Sequence, residues 1–153
     1  MPVTPSNVYL VGPMGSGKTS IGRRAAEQLG LQFFDCDDEL EARTGASVNL
    51  IFDIEGEEGF RERETAMLRE LSERRGCLVA TGGGCVLRPE NRRIMKETGL
   101  VVYLRTSVAQ QLRRLRLDKN RPLLQTPDRE QRLRALAEVR NPIYEEVADI
   151  DFP

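Results

Sequence analysis

The amino-acid sequence predicts an α/β domain: a five-stranded parallel sheet flanked by helices. Two features carry that reading. Short apolar runs rich in strand formers alternate with charged, helix-forming segments from one end of the chain to the other, the pattern of a parallel sheet covered on both faces. The first of these runs leads straight into a glycine-rich turn and then a helix pattern. The chain has 153 residues, enough for one domain with a proper core. No internal repeat, low-complexity tract or linker divides it, so residues 1–153 read as one unit.

In chain order, "NVYLVG" (7–12) is a short apolar run bounded by glycine, a strand. "GKTSIGRRAAEQLG" is a helix with Ile21, Ala25 and Leu29 at apolar spacing, stopped by Gly30. "LQFFD" is a second strand and "DDELEARTG" a brief helix closed by Gly45. The stretch "SVNLIFDIEGEEGFRERETAMLRELSERRG" holds a short helix and then a long charged one, ended by Gly76. "CLVAT" is a third strand, followed at once by Gly82, Gly83 and Gly84. "RPENRRIMKETG" is a helix and "LVVYLR" a fourth strand. "SVAQQLRRLRL" is a helix that runs into the irregular, basic "DKNRPLLQTP". A long helix, "DREQRLRALAEVRNPIYEEVA", is expected to be interrupted by Pro142, and "DIDF" begins a fifth strand. The pattern predicts one closing helix beyond Pro153 to cover it.

Composition narrows the chemistry. There is no histidine, which excludes Ser-His and Cys-His triads and histidine-ligated metals. A formal charge of -1 lacks the basic excess of a general nucleic-acid binder. No apolar run approaches membrane-spanning length, and the N-terminus carries no basic flank before an apolar region, so a cytoplasmic protein is expected. Cys36, Cys77 and Cys85 are odd in number and form no CxxC pair. They read as small buried fillers, and the acids beside Cys36 would raise its thiol pKa.

Gly12-Pro13-Met14-Gly15-Ser16-Gly17-Lys18-Thr19 satisfies G-x-x-x-x-G-K-[ST] between a strand and a helix. Glycines let the backbone curl so that successive N–H groups of Gly15, Ser16, Gly17, Lys18, Thr19 and Ser20 point at phosphate oxygens, and the helix start adds its positive end. Lys18 reaches the β- and γ-phosphates and the Thr19 hydroxyl is a Mg2+ ligand. The reading is a nucleoside-triphosphate site. No N-K-x-D guanine motif is present, and the third strand ends in Thr81 rather than an aspartate, so the metal's carboxylate must come from elsewhere. Asp35, closing the second strand, is the nearest candidate at the same sheet edge.

Acids are dense here: "FFDCDDEL" places Asp35, Asp37 and Asp38 together. Asp37 or Asp38 can cap the helix that follows, where acids are favoured on electrostatic grounds alone. The functional alternative gives Asp35 to the Mg2+ shell and Asp37 to an acceptor hydroxyl, which a carboxylate orients and deprotonates. Arg61 and Arg140 come from different helices and could converge on one anion, since an arginine fork suits a carboxylate. Arg63, Arg69 and Arg74 read as ordinary surface arginines. Consecutive glycines after a strand cost conformational entropy, and close approach of a ligand to the backbone is the usual compensation.

Taken together, the phosphate loop, the D-x-D of Asp35 and Asp37, "GEEGFRERE", "TGGG", "RPLL" and "VRNPIYEEVA" resemble the shikimate kinase family in order and spacing, over essentially the whole chain. The resemblance implies the three-layer nucleoside-monophosphate-kinase fold with a mobile lid over about 112–125. It also implies transfer of the ATP γ-phosphate to the 3-hydroxyl of shikimate, with Mg2+, in aromatic amino acid biosynthesis. By the same resemblance Asp37 binds the shikimate hydroxyls and serves as base, with Asp35 near the metal. Arg61 and Arg140 hold the carboxylate, and Gly83 and Gly84 offer N–H groups. Arg121 comes from the lid to the phosphates, and Arg114 stacks on adenine. By the resemblance, an adenine-contacting loop and a terminal helix are expected past the fifth strand, beyond Pro153. A monomer acting on small molecules alone is expected.

Three rivals stand against this reading. A gluconate kinase of the same architecture would share the phosphate loop but not paired arginines around a glycine triplet. Nucleoside-monophosphate kinases would need a base pocket and further arginines. A degenerate ATP sensor would have no reason to keep the acceptor site.

Overall fold

Parallel pairing needs long crossovers, and every pair of consecutive strands here is joined by at least one helix. The computed structural model describes residues 7–115 and 128–152. In chain order they form β1 (Asn7–Val11), α1 (Lys18–Leu29), β2 (Gln32–Asp35), α2 (Cys36–Thr44), α3 (Val48–Ser72), β3 (Cys77–Ala80), α4 (Pro89–Thr98), β4 (Gly99–Leu104), α5 (Val108–Leu115), α6 (Arg129–Val147) and β5 (Ile150–Phe152). The sheet is parallel with order β2-β3-β1-β4-β5. Register sets the functional edge. Asp35 and Leu10 both pair with Ala80, and Val11 pairs with Tyr103, so the loops after β1, β2 and β3 leave from one carboxyl rim.

Both faces of the sheet are buried at its centre, with side chains alternating between them. Tyr9, Val11, Val79, Val101 and Tyr103 face the larger cluster with Phe60, Leu68 and Tyr144. Leu10, Leu78 and Leu104 face the smaller one with Ala26. Against the expected Ile21–Leu29 stripe, Ile21 is 41% and Leu29 64% exposed, and α1 buries Gly22 and Ala26 instead. Proximity explains the choice. A β-carbon at Gly22 would sit 2.9 Å from Leu10 and Phe33 and 3.1 Å from Leu78, so α1 lies on the sheet where only a bare backbone fits.

The short-then-long reading of α3 holds: its helical course is broken at Gly56 (φ 74, ψ 179). By contrast, α6 is not interrupted at Pro142 but runs through it. The ring removes one donor, a loss the helix tolerates, and Arg140 and Tyr144 stay four residues apart on one face. β5 is paired with β4, yet Ile150 and Phe152 are 45% and 54% exposed.

The opposite rim of the sheet is tied by side chains. Asn7 is fully buried; its Oδ1 accepts from the Cys77 N–H (3.0 Å) and its Nδ2 donates to the Arg74 carbonyl (3.0 Å). Replacing Asn7 by alanine orphans that buried amide. Asn7→Ala is expected to lower the unfolding free energy by about 1–3 kcal/mol, read from the urea midpoint at unchanged slope.

Candidate active site

At the carboxyl end of β1 the chain turns back on itself using glycine. Gly15 and Gly17 have φ of 78° and 86°, the left-handed region, and Gly17 caps α1. Side-chain-bearing residues rarely adopt that conformation, which is why the motif demands glycine there. The Lys18 ammonium lies over the loop, donating to the Gly12 carbonyl (2.5 Å) and the Pro13 carbonyl (2.9 Å). Ser16 is buried, while Thr19 and Ser20 stand exposed on the first turn of α1. The outer side of the loop is held by α5: Gln111 donates to the Met14 carbonyl (2.9 Å) and Arg114 to the Gly15 carbonyl (3.1 Å). Arg114 is thus at the loop's rim, where a nucleotide base could pack. Arg121 and residues 116–125 of the expected lid lie outside the described residues.

Asp35 has two partners. One oxygen accepts from the Asp38 N–H (3.0 Å), the other from the Thr19 hydroxyl (2.7 Å). The capping role open to Asp37 or Asp38 therefore falls to Asp35. The reason is that α2 starts at Cys36 with no intervening turn, which puts Asp37 and Asp38 in its first turn. Asp37 lines one cleft of about 130 Å³ together with Lys18, Thr19, Asp35, Thr81, Gly82 and Gly83. The acidic stretch and the phosphate loop thus share a pocket. Hydroxyl and carboxylate oxygens are the hard donors that Mg2+ takes, usually one or two from protein with the remainder from phosphates and water. Thr19 and Asp35 fit that requirement. Among the described residues no group of three or more His, Cys, Asp or Glu side chains could hold an ion.

The second half of the site is built around Gly82–Gly84. Each glycine has a charged neighbour in the place of a side chain. A β-carbon at Gly84 would overlap the Arg61 guanidinium; one at Gly83 would lie 3.2 Å from Arg140 Nη1; one at Gly82, 3.1 Å from Glu64 Oε2 and 3.5 Å from Asp37 Oδ1. Arg61 from α3 and Arg140 from α6 accordingly both stand beside this one loop. Thr81 fixes the loop's root, its hydroxyl donating to the Leu10 carbonyl (2.8 Å).

Glu64 was not singled out from the sequence, and it sits at the centre of this cluster. It is fully buried, and one oxygen accepts from Arg61 (2.9 Å). The other oxygen, like Arg61 Nε, has no hydrogen-bond partner among the described residues. Burial raises its carboxyl pKa, Asp37 adds to the rise, and Arg61 and Arg140 oppose it. The signal available in the sequence was the spacing: residues 61 and 64 share a helix face. Tyr144 and Gln111, both buried against the site's loops, left no comparable signal.

The ordinary readings of three arginines and of the cysteines hold. Arg63 is exposed and paired with Glu55 (2.6 Å), Arg69 is exposed and paired with Glu90, and Arg74 is exposed over the Phe34 ring. Cys36, Cys77 and Cys85 are all buried. Burial pushes the Cys36 and Cys85 thiols well up, with Glu64 and Asp37 adding to it.

Glu64 gives a pH signature. Its folded pKa is raised, so the native state keeps a proton that the unfolded chain releases near 4.5. The associated stabilisation is present below that pH and is lost as pH rises through the folded pKa. In parallel urea titrations from pH 4 upward, the stability of wild type minus that of Glu64→Gln should fall with rising pH over that window. A flat or rising difference contradicts the burial argument.

The family model described as shikimate kinase matches residues 14–152. The shikimate kinase of Actinobacillus succinogenes is 55% identical over 148 residues, spanning 96% of this chain and 85% of that protein. Shikimate kinase 1 of Pectobacterium atrosepticum is 56% identical over 146 residues, spanning 94% and 84%. Among solved structures, the shikimate kinase of Acinetobacter baumannii in complex with shikimate superposes with a TM-score of 0.94 at 52% identity, covering 99% of this chain and 84% of that one.

Proposed function

This chain belongs to the shikimate kinase family, and we propose that it transfers the γ-phosphate of Mg2+-ATP to the 3-hydroxyl of shikimate. It is a kinase, and its fold is that of P-loop kinases. The observation that carries the acceptor assignment is positional: Asp37 lines the phosphate-loop cleft while the glycine triplet beside it gathers Arg61 and Arg140. A small polyhydroxylated carboxylate matches that arrangement, anion at one end and hydroxyls at the other.

The proposed roles follow from chemistry. Arg61 and Arg140 bind the acceptor carboxylate through charge-assisted, forked hydrogen bonds. Gly83 and Gly84 donate backbone N–H groups and leave room for the ring. Asp37 orients the acceptor hydroxyl and takes its proton as the new O–P bond forms and the bond to the β–γ bridging oxygen breaks, releasing ADP. Lys18, exchanging its loop carbonyls for phosphate oxygens, holds the β- and γ-phosphates in line. Thr19 and Asp35 would hold Mg2+, which when bound neutralises charge on the β- and γ-phosphates. The N–H groups of Gly15 to Ser20 cradle the phosphates, Arg114 packs on adenine, and Arg121 is assigned to the phosphates by its place in "NRPLL". We further infer a single kinase unit acting as a cytoplasmic monomer with a lid near 112–125. Among the described residues no helix is long and apolar enough to cross a membrane.

The deciding assay mixes the protein with Mg-ATP and, separately, shikimate, gluconate or nucleoside monophosphates, and follows ADP. ADP release coupled to shikimate 3-phosphate is expected; equal turnover with gluconate would remove the reading, and no turnover with any acceptor would favour an ATP sensor. Asp37→Asn should lower kcat by about 10²- to 10⁴-fold, the range for loss of a general base. Arg140→Lys keeps the charge but not the fork, so the KM for shikimate should rise about tenfold while the KM for ATP stays put.

A further inference from the structure

Gly83 is gripped from behind. The Tyr144 hydroxyl donates to the Gly83 carbonyl at 2.5 Å, across 61 residues of sequence. Tyr144 is fully buried, and its ring packs on Tyr103 with centroids 5.1 Å apart, so the phenol has little freedom to point elsewhere. Burial also raises its pKa, which keeps the hydroxyl protonated and therefore a donor. One turn earlier on α6 stands Arg140, whose Nη1 lies beside the same glycine.

The peptide between Gly83 and Gly84 is planar and trans, so its carbonyl and its N–H point in opposite directions. Whatever fixes the carbonyl fixes the N–H. Two adjacent glycines would otherwise leave that plane the most rotatable stretch of the site, since neither has a side chain to lock it. On the far side the Gly84 carbonyl accepts from Leu87 (3.1 Å) and the Gly82 carbonyl from Cys85 (3.1 Å). Those bonds set the neighbouring peptides but leave the one between Gly83 and Gly84 to Tyr144.

We propose that Tyr144 is a positioning residue for the acceptor: by holding the Gly83 carbonyl it aims the Gly84 N–H at the substrate, without touching the substrate itself. This rests on the assignment of shikimate as acceptor. It makes α6 a two-point clamp, Arg140 on the ligand anion and Tyr144 on the backbone donor.

Tyr144→Phe keeps the ring and removes only the hydroxyl. The KM for shikimate should rise roughly 3- to 10-fold, the worth of one hydrogen bond, with the KM for ATP close to wild type. Tyr103→Phe, which removes the neighbouring buried hydroxyl, should leave both KM values unchanged. A backbone readout separates positioning from general packing: the amide nitrogen resonance of Gly84 should shift in Tyr144→Phe while those of Gly15 and Gly17 stay in place. An unshifted Gly84 resonance, or equal losses toward both substrates, overturns the proposal. Should Tyr144→Phe fail to fold, 3-fluorotyrosine at position 144 keeps the packing and makes a stronger donor; an unmoved Gly84 resonance there is equally fatal. If wild type does not phosphorylate shikimate, the acceptor assignment fails by itself, and the Gly84 resonance still decides the role of Tyr144.

Discussion

The site depends on an absence of side chains. Gly82, Gly83 and Gly84 leave a groove at the end of β3 that charged groups from α2, α3 and α6 enter from different directions. Any β-carbon at Gly84 would fall inside the Arg61 guanidinium, so the arginine's position and the glycine's identity are one constraint. The parallel register does the complementary work. Because Asp35, Ala80 and Leu10 share one level of the sheet, the loops after β2, β3 and β1 leave from the same rim, and the phosphate loop and the glycine groove line one cleft.

Electrostatics then sorts the charges into two kinds. Those at the surface pair locally and could be exchanged with little consequence, as with Arg63 and Glu55. Those in the groove are held out of water by the fold. Glu64 accepts from Arg61 with one oxygen only, and among the described residues Arg61 Nε makes no hydrogen bond, its nearest carboxylate being Glu57 at 3.7 Å. Incompletely satisfied buried charge is costly. Asp37 faces this cluster from α2, adding negative charge that raises the pKa of Glu64.

Much of this was legible in the sequence, because the features concerned are local. The strand–loop–helix unit around Gly12–Thr19 announces its own geometry, and the alternation of apolar runs and charged segments fixed the sheet as parallel. What could not be read depends on contacts distant in sequence. Ile21 and Leu29 have the right spacing for a buried stripe, yet packing against Leu10, Phe33 and Leu78 selects Gly22. Asp35 takes the cap because α2 follows β2 directly, a boundary of one residue that no periodicity resolves. Pro142 suggests a break, but tertiary packing of Leu133, Tyr144 and Val147 carries the helix past it. Glu64 and Tyr144 resemble dozens of ordinary helical positions until the fold brings them to the glycines.

The buried tie around Asn7 separates robustness from chemistry. At that amino rim, polar groups are matched: Asn7 to Cys77 and Arg74, Tyr9 to Thr98, Asp149 to Lys96 and the Val101 amide. The opposite rim holds the mismatched atoms of Arg61 and Glu64. The strands keep these two ends apart, so a substitution at Asn7 weakens the scaffold without reaching the cleft at the carboxyl rim.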